Sequence, residues 1–435
     1  MQNCECAVSR LIARPVFGPM RAHRRFMIAI NGPMLKMLLA GCALAIGAPL
    51  NVDAQVLPSE PFVFADGRVA LGGDVSWSIA PEDPGFFNFT DYDHSSLRMI
   101  RAALTASVKA GRHVALLAEI RSENGQRPEA YGVYLRIRPW IARNIDIQVG
   151  RIPPTFGAFA RRTYAADNPL IGYPLAYQYL TAIRADALPA TVDELMRMRG
   201  RGWLTNFSIG NLNPEHGVPL ANAFRWDTGV QVHAEGDLFD ATGSITTGTL
   251  SNPRLSDDNG GAQVAGRVAV HPVSGLVLGA SASRGPFVTQ SALRAVLPGA
   301  TATDFNQTAW GGDIEYSRGY YIVRVETLVS SWTLPVVRGT DTELPLSAMA
   351  TAVEGRYKIR PGLYAAARFD HLGFSDVTNA TTRQSWDAPV TRWEIGGGYS
   401  LQRNLLLKIE YQHNKRDGGR VTDLSLVAAQ VVFWF

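Results

Sequence analysis

Cysteine is nearly missing from this 435-residue chain: there are three, Cys4, Cys6 and Cys42, and all lie within the first 54 residues. From Gln55 onward no thiol is available, which excludes a disulfide framework or a thiolate metal site there. Lysine is almost as scarce, with only Lys109, Lys358, Lys408 and Lys415 after that point. An excess of either charge sign is missing too. Residues 1–54 hold six of the 42 Lys+Arg and two of the 38 Asp+Glu, so 36 bases face 36 acids in the remainder, and a nucleic-acid partner loses its bulk electrostatic support. After Gln55 there is no uncharged apolar run of about 18 residues, so no transmembrane helix is predicted. Nor is there a Gly-x-Ser-x-Gly elbow, a His-Glu-x-x-His or a P-loop, and no cofactor is implied.

The one long apolar run lies upstream. Lys36, the run 37–50 and Val52-Asp53-Ala54 read as a secretory signal peptide cleaved after Ala54, because the run is too short to span a bilayer and exits through small residues. Residues 1–33, with Arg21, Arg24 and Arg25, are then either a long positively charged n-region or the product of an upstream start. Leu39-Ala40-Gly41-Cys42 resembles a bacterial lipoprotein cleavage site, which would place lipid on Cys42. Only five residues separate Lys36 from Cys42, and that short spacing favours ordinary cleavage.

What is plentiful is alternation. Apolar residues recur at every second position in segments of about ten, the period of a strand with one face in lipid. Sixteen strands are predicted, near 67–79, 97–109, 113–122, 130–138, 145–152, 225–235, 238–249, 262–271, 276–284, 307–317, 320–332, 348–358, 362–374, 391–400, 405–414 and 423–435. Short turns and longer loops alternate between them. An even count puts both termini in the periplasm and every long loop outside. The expected fold is therefore all-β, a transmembrane antiparallel β-barrel spanning 55–435 with a long third external loop at 153–224. Sixteen strands enclose a lumen too wide for wall side chains to fill.

The final segment carries a more specific signal. Val427, Ala429, Val431, Phe433 and Phe435 share one face and close on Phe433-Trp434-Phe435. This resembles bacterial outer-membrane proteins, in which a terminal aromatic residue with apolar residues at alternating upstream positions is an assembly signal. The resemblance implies a Gram-negative outer-membrane location, barrel-assembly machinery as a partner, and Phe433 and Phe435 as the signal residues. Gly150-Arg151-Ile152-Pro153-Pro154-Thr155-Phe156-Gly157, at the start of the long loop, resembles the Gly-Arg…Pro-Pro-Phe-Gly segment of phosphate-selective porins, and trimeric porins fold their third external loop inward. That likeness implies a homotrimer passing small solutes or ions. The lysine clusters of the phosphate-selective family are absent.

On the face opposite the lipid lie the pore-lining candidates Arg101, Arg121, Arg136, Arg324, Glu326, Arg356, Arg368 and Asp370. Arginines of the long loop, Arg161, Arg162, Arg184, Arg197, Arg199 and Arg201, are candidates for a constriction, since a guanidinium suits repeated contact with planar anions. The pairs Arg324/Glu326, Glu354/Arg356, Arg368/Asp370, Arg392/Glu394 and Lys408/Glu410 are expected to neutralise one another along the wall. Arg197, Arg199 and Arg201 also fit a solvated loop or an anchor for lipopolysaccharide phosphates. Trp140, Tyr316, Tyr320, Tyr321, Tyr357, Tyr399 and Trp434 read as an aromatic girdle, with Trp77, Trp332 and Trp386 near the opposite rim.

These features predict a weakly selective porin with no chemical step. Two other classes remain. His94 and Ser96 share parity with the lipid face of the second strand, similar to the His-x-Ser pair of outer-membrane phospholipases, and predict a lipid-active enzyme. A barrel plugged by its long loop would instead be an adhesin or structural component. Asp257-Asp258-Asn259-Gly260-Gly261 reads as a turn or a calcium loop.

Overall fold

A computed structural model describes residues 60–435 except 91–93, 255–256, 297–300, 336–342 and 380–381. The expected presequence, its cleavage site after Ala54 and Cys42 lie outside the described residues.

Sixteen antiparallel strands close into one barrel. In chain order they are β1 (Val69–Ile79), β2 (Ile100–Lys109), β3 (Val114–Glu123), β4 (Glu129–Ile137), β5 (Asn144–Ile152), β6 (Asp227–Glu235), β7 (Phe239–Thr246) and β8 (Gln263–Val273). The circuit continues with β9 (Leu276–Pro286), β10 (Asn306–Arg318), β11 (Tyr321–Pro335), β12 (Glu343–Arg360), β13 (Leu363–Phe374), β14 (Val390–Gln402), β15 (Leu405–Arg416) and β16 (Asp423–Trp434). Each predicted strand is present. The largest boundary difference is β12, which begins five residues before the expected 348. Its extension pairs with the far end of β11 from Trp332↔Leu346 to Pro335↔Glu343, a tertiary ladder that period-2 patterning does not report.

Alternation sets which face meets lipid. On β1, Val75 and Trp77 are exposed while Ser76 and Ser78 are buried; on β16, Val427 and Val431 are exposed while Leu426, Ala428, Gln430 and Val432 are buried. Polar residues inside and an apolar band outside invert the arrangement of a water-soluble barrel. Closure pairs each barrel strand with a neighbour on both sides, leaving no open sheet edge to hydrocarbon.

The seam is more elaborate than the pairing of first and last strands. β16 pairs with β1 from Asp74↔Trp434 to Ile79↔Ala429. Phe435 adds two backbone hydrogen bonds, its N–H to the Gly73 carbonyl and its carbonyl accepting from the Gly73 N–H, each 3.0 Å. Below that point a short strand, Phe62–Phe64, takes over the same edge of β1, from Phe62↔Leu71 to Phe64↔Val69. The sequence pattern missed this strand because three residues are too few to show a period.

Trp140, Tyr320, Tyr321, Tyr357 and Tyr399 are exposed at the short-turn end, where an interfacial girdle belongs. Trp332 and Trp386 correct the expectation of a rim role. Both are fully buried, 6.2 Å apart, in an apolar cluster inside the barrel. Trp332 shares strand phase with Arg324 and Glu326, so its side chain points inward with theirs.

Candidate functional site

The third connection leaves the wall at β5 and enters the lumen. Pro153-Pro154 lack the N–H groups that would extend the ladder, so the chain departs there. Thr155 then donates to Gln231 Oε1 at 2.8 Å and contacts Ser244 Oγ at 2.9 Å, on the inner faces of β6 and β7. Gly157 sits at φ +80°, and a Cβ there would lie 2.6 Å from the Tyr177 hydroxyl. Its N–H donates to Ser281 Oγ of β9.

Two wall carboxylates then receive the loop backbone. Glu326 Oε1 of β11 accepts from the N–H of Ala158 (2.7 Å) and Phe159 (3.3 Å) and from the Tyr177 hydroxyl (2.9 Å). Glu410 of β15 accepts from the N–H of Ile171 and of Gly172. Neighbouring cations hold the carbonyls. Lys408 donates to Ala165, Asn168 and Leu170, Arg368 to Gly172 and Arg392 to Tyr173. Arg101 reaches the Tyr173 hydroxyl at 3.0 Å.

Beyond this anchor the loop builds an apolar core against the wall. Leu175, Tyr177, Leu180, Ile183, Leu188 and Leu195 cluster with Trp332, Leu334, Leu346 and Trp386. Thr191 caps a short helix, α1 (Val192–Arg197), by accepting from the Glu194 N–H. At the long-loop end Asp387 closes the structure, accepting from the N–H of Ala182 (2.6 Å), Gly200 (2.8 Å) and its neighbour Ala388 (2.7 Å).

Three of the five expected wall pairs, Arg324/Glu326, Glu354/Arg356 and Lys408/Glu410, do not form among the described residues. Residues two apart on a strand lie about 6.6–6.8 Å apart, whereas directly opposed residues on adjacent strands lie about 4.5–5.5 Å apart. Register puts Glu315, Arg324, Glu354, Arg368 and Glu394 opposite one another across β10 to β14. The contacts follow that row: Arg324 to Glu315 (2.6 Å) and Glu354 (3.1 Å), and Arg368 to Glu354 (3.2 Å) and Glu394 (2.6 Å). Arg368/Asp370 keeps its contact at 3.2 Å, and Arg392 reaches Glu394 only at 4.0 Å. Glu326 and Lys408 serve the loop instead. Alternate signs in one row limit the cost of burial, because each buried charge touches its opposite.

The other candidates separate by location. Arg101 pairs with Glu123, and Arg121 pairs with Glu119 while its guanidinium lies 3.4 Å over the Tyr131 ring; both arginines are buried. Arg136 is half-buried, as is Arg356, which lies 5.8 Å over the Tyr364 ring. Arg161 reaches Asp240 at 3.7 Å with its side chain 40% exposed. Arg162 reaches Glu354 at 3.2 Å. Arg184 is locked inside the loop, bidentate to Asp186 at 2.9 and 3.0 Å and donating to the carbonyls of Thr205 and Asn213. Arg197, Arg199 and Arg201 lie at the long-loop mouth. A cavity of about 350 Å³ at the short-turn end is lined by Glu119, Tyr134, Tyr164 and Phe435 among others.

Ser96 does not reach the lipid face, and His94 is half-buried. Both precede β2, and Ser96 is 2% exposed with its hydroxyl unpartnered among the described residues. Parity with a strand has no meaning before the strand begins. Asp257 accepts from the N–H of Asn259 and Gly260, the bonding of a turn.

Asp387 lies outside the strands, and burial pushes its carboxyl up from 3.8 to about 6 against the opposing pull of the Gly200, Ala388 and Ala182 N–H groups and Arg416. Burial also raises Asp83 nearby. A raised carboxyl favours the docked loop fully below its ordinary value, and this contribution is lost as pH rises through about 6. Hydrogen exchange at Ala182 and Gly200, corrected for intrinsic rates, is therefore expected to be slower at about pH 5 than at about pH 7.5. Asp387→Ala should abolish the difference; an unchanged slope in that variant refutes the assignment.

A closed barrel with apolar residues outside, charges inside and an inward third loop defines a porin-type transmembrane fold. Solved structures show the same fold. The chain is similar to an anion-selective porin from Comamonas acidovorans (TM-score 0.53, 8% identity, 84% of this chain and 99% of that one). It is also similar to OmpF of Salmonella typhi in a complex with daunomycin (TM-score 0.53, 11% identity, 86% and 99%). A loop-deletion mutant of OmpT, an outer membrane protein of Vibrio cholerae, matches at TM-score 0.52 with 12% identity over 84% and 99%. No family model matches the chain, and no curated protein matches it in sequence. The exposed apolar band places the barrel in a bilayer, and the porin-type fold points to the outer membrane as that bilayer.

Proposed function

We propose that this protein is an outer-membrane porin in which the inward loop reduces the bore to a narrow, charge-lined path for small ions or hydrophilic solutes. The observation that carries this reading is the incomplete burial of Arg161, Arg162, Asp240, Glu315 and Arg324 beside a loop that is otherwise packed to the wall. Partly exposed cations and anions around a low-dielectric constriction focus a field on whatever passes. Because both signs are present, selectivity is weak. The porin resemblance also implies a homotrimer.

Planar-bilayer recordings in KCl test the reading directly, and well-folded protein that gives no conductance steps would overturn it. The double variant Arg161→Glu/Arg162→Glu is expected to shift the reversal potential in a KCl gradient toward cation preference. The extensive burial of 170–188 favours a second reading, a plugged barrel with a structural or adhesive role, and absence of conductance would select it.

A further inference from the structure

At the long-loop mouth, away from the charged row, lies a cavity of about 540 Å³, within the usual size of small-ligand sites. Its lining includes five arginines: Arg197, Arg199 and Arg201 from the inner loop, Arg416 from the end of β15, and Arg420 from the following loop. Two of them are fixed by the protein. Arg416 donates to the carbonyls of Gly200 (3.1 Å) and Gly85 (3.0 Å) and stacks 4.1 Å over the Phe87 ring. Arg199 donates to Ser385 and meets Asp417 at 3.3 Å. The other three, Arg197, Arg201 and Arg420, are exposed and have no carboxylate partner among the described residues.

The rest of the wall is apolar, with Pro84, Phe86, Leu204 and Val421 contributing most of it. Gly200 and Gly419 hold the walls together, since a Cβ on Gly200 would lie 2.7 Å from the Gly419 nitrogen. Three unpaired guanidinium groups beside an apolar wall are complementary to one kind of small molecule: a planar oxyanion carried on a hydrophobic body. A fully hydrated ion would use the arginines and leave Phe86 and Leu204 without a role. A neutral apolar ligand would strand the cations.

We propose that this mouth cavity binds small amphipathic organic anions, with a carboxylate or similar oxyanion on Arg197, Arg201 and Arg420 and an apolar body against Phe86, Leu204 and Val421. Binding here does not depend on conduction. The test is calorimetric titration of the full barrel in a detergent micelle with 4-phenylbutyrate, its neutral amide 4-phenylbutanamide, and inorganic phosphate. Only the carboxylate is expected to bind well, and added salt should weaken it. Arg197→Ala/Arg201→Ala/Arg420→Ala should reduce affinity by about tenfold or more, the loss of one charge-assisted hydrogen bond or more. Leu204→Asn, which keeps all five arginines, should weaken the carboxylate and leave any phosphate heat unchanged. Heat-modifiable migration of each variant confirms that the barrel is folded. Equal affinity in wild type and triple variant indicates micelle partition and overturns the proposal. Tighter binding of phosphate than of the carboxylate, or no binding of the carboxylate at millimolar concentration, also overturns it.

Discussion

Glu326→Ala combined with Glu410→Ala is expected to raise single-channel conductance several-fold while leaving the barrel folded. These two carboxylates accept four backbone N–H groups, from Ala158, Phe159, Ile171 and Gly172, at the two places where the loop's descending part meets the wall. An unsatisfied buried donor costs about 1–3 kcal/mol. With four of them orphaned, the segment gains by moving into water and exchanging lost partners for solvent. The upper part of the loop should remain, since its apolar core against Trp332 and Trp386 loses only the hydrogen bond from the Tyr177 hydroxyl to Glu326. The strand ladders are also untouched, so heat-modifiable migration should persist. Unchanged conductance in the folded double variant would show that solutes do not pass beside 158–172, and the proposed path would fall.

How much of this was legible in the sequence differs sharply between wall and contents. The wall is a repeating local rule, and alternation located all sixteen barrel strands because lipid on one side tests every second residue. The contents depend on register, which no single strand carries. Glu315, Arg324, Glu354, Arg368 and Glu394 are scattered over eighty residues and become one row only when five strands align. Pairing by proximity along the strand therefore chose Arg324 with Glu326, when Glu326 actually holds the loop. The fate of that loop did leave a signal. Leu170-Ile171-Gly172-Tyr173-Pro174-Leu175-Ala176-Tyr177-Gln178-Tyr179-Leu180 is far too apolar for a solvated external segment. Its lack of period hid it from a search built on periods, and its burial inside the barrel accounts for its composition. Trp332 was recoverable as well, from the strand phase that already placed Arg324 and Glu326 inside.

Deleting Phe435 is expected to abolish the folded barrel, and Phe435→Ala to impair it less. The residue closes the seam with two 3.0 Å backbone hydrogen bonds to Gly73, and the deletion removes both whereas the alanine variant keeps them. Near hydrocarbon an unpaired backbone group costs several kcal/mol. The ring adds a separate contribution through its contact with Phe62, centroids 5.4 Å apart, which ties the chain end to the short strand that continues the seam. Gly73→Ala probes the same junction from the opposite side, because its Cβ would lie 2.8 Å from the Ala103 carbonyl oxygen and 3.1 Å from the Phe435 ring. The outer-membrane resemblance implies a second role for Phe435, recognition by assembly machinery, and refolding from urea into detergent micelles isolates closure because no machinery is present. Closure predicts low yields of heat-modifiable protein for the deletion in micelles as well as in cells. Wild-type yields in micelles with failure only in cells would instead make Phe435 an assembly signal whose hydrogen bonds to Gly73 are dispensable.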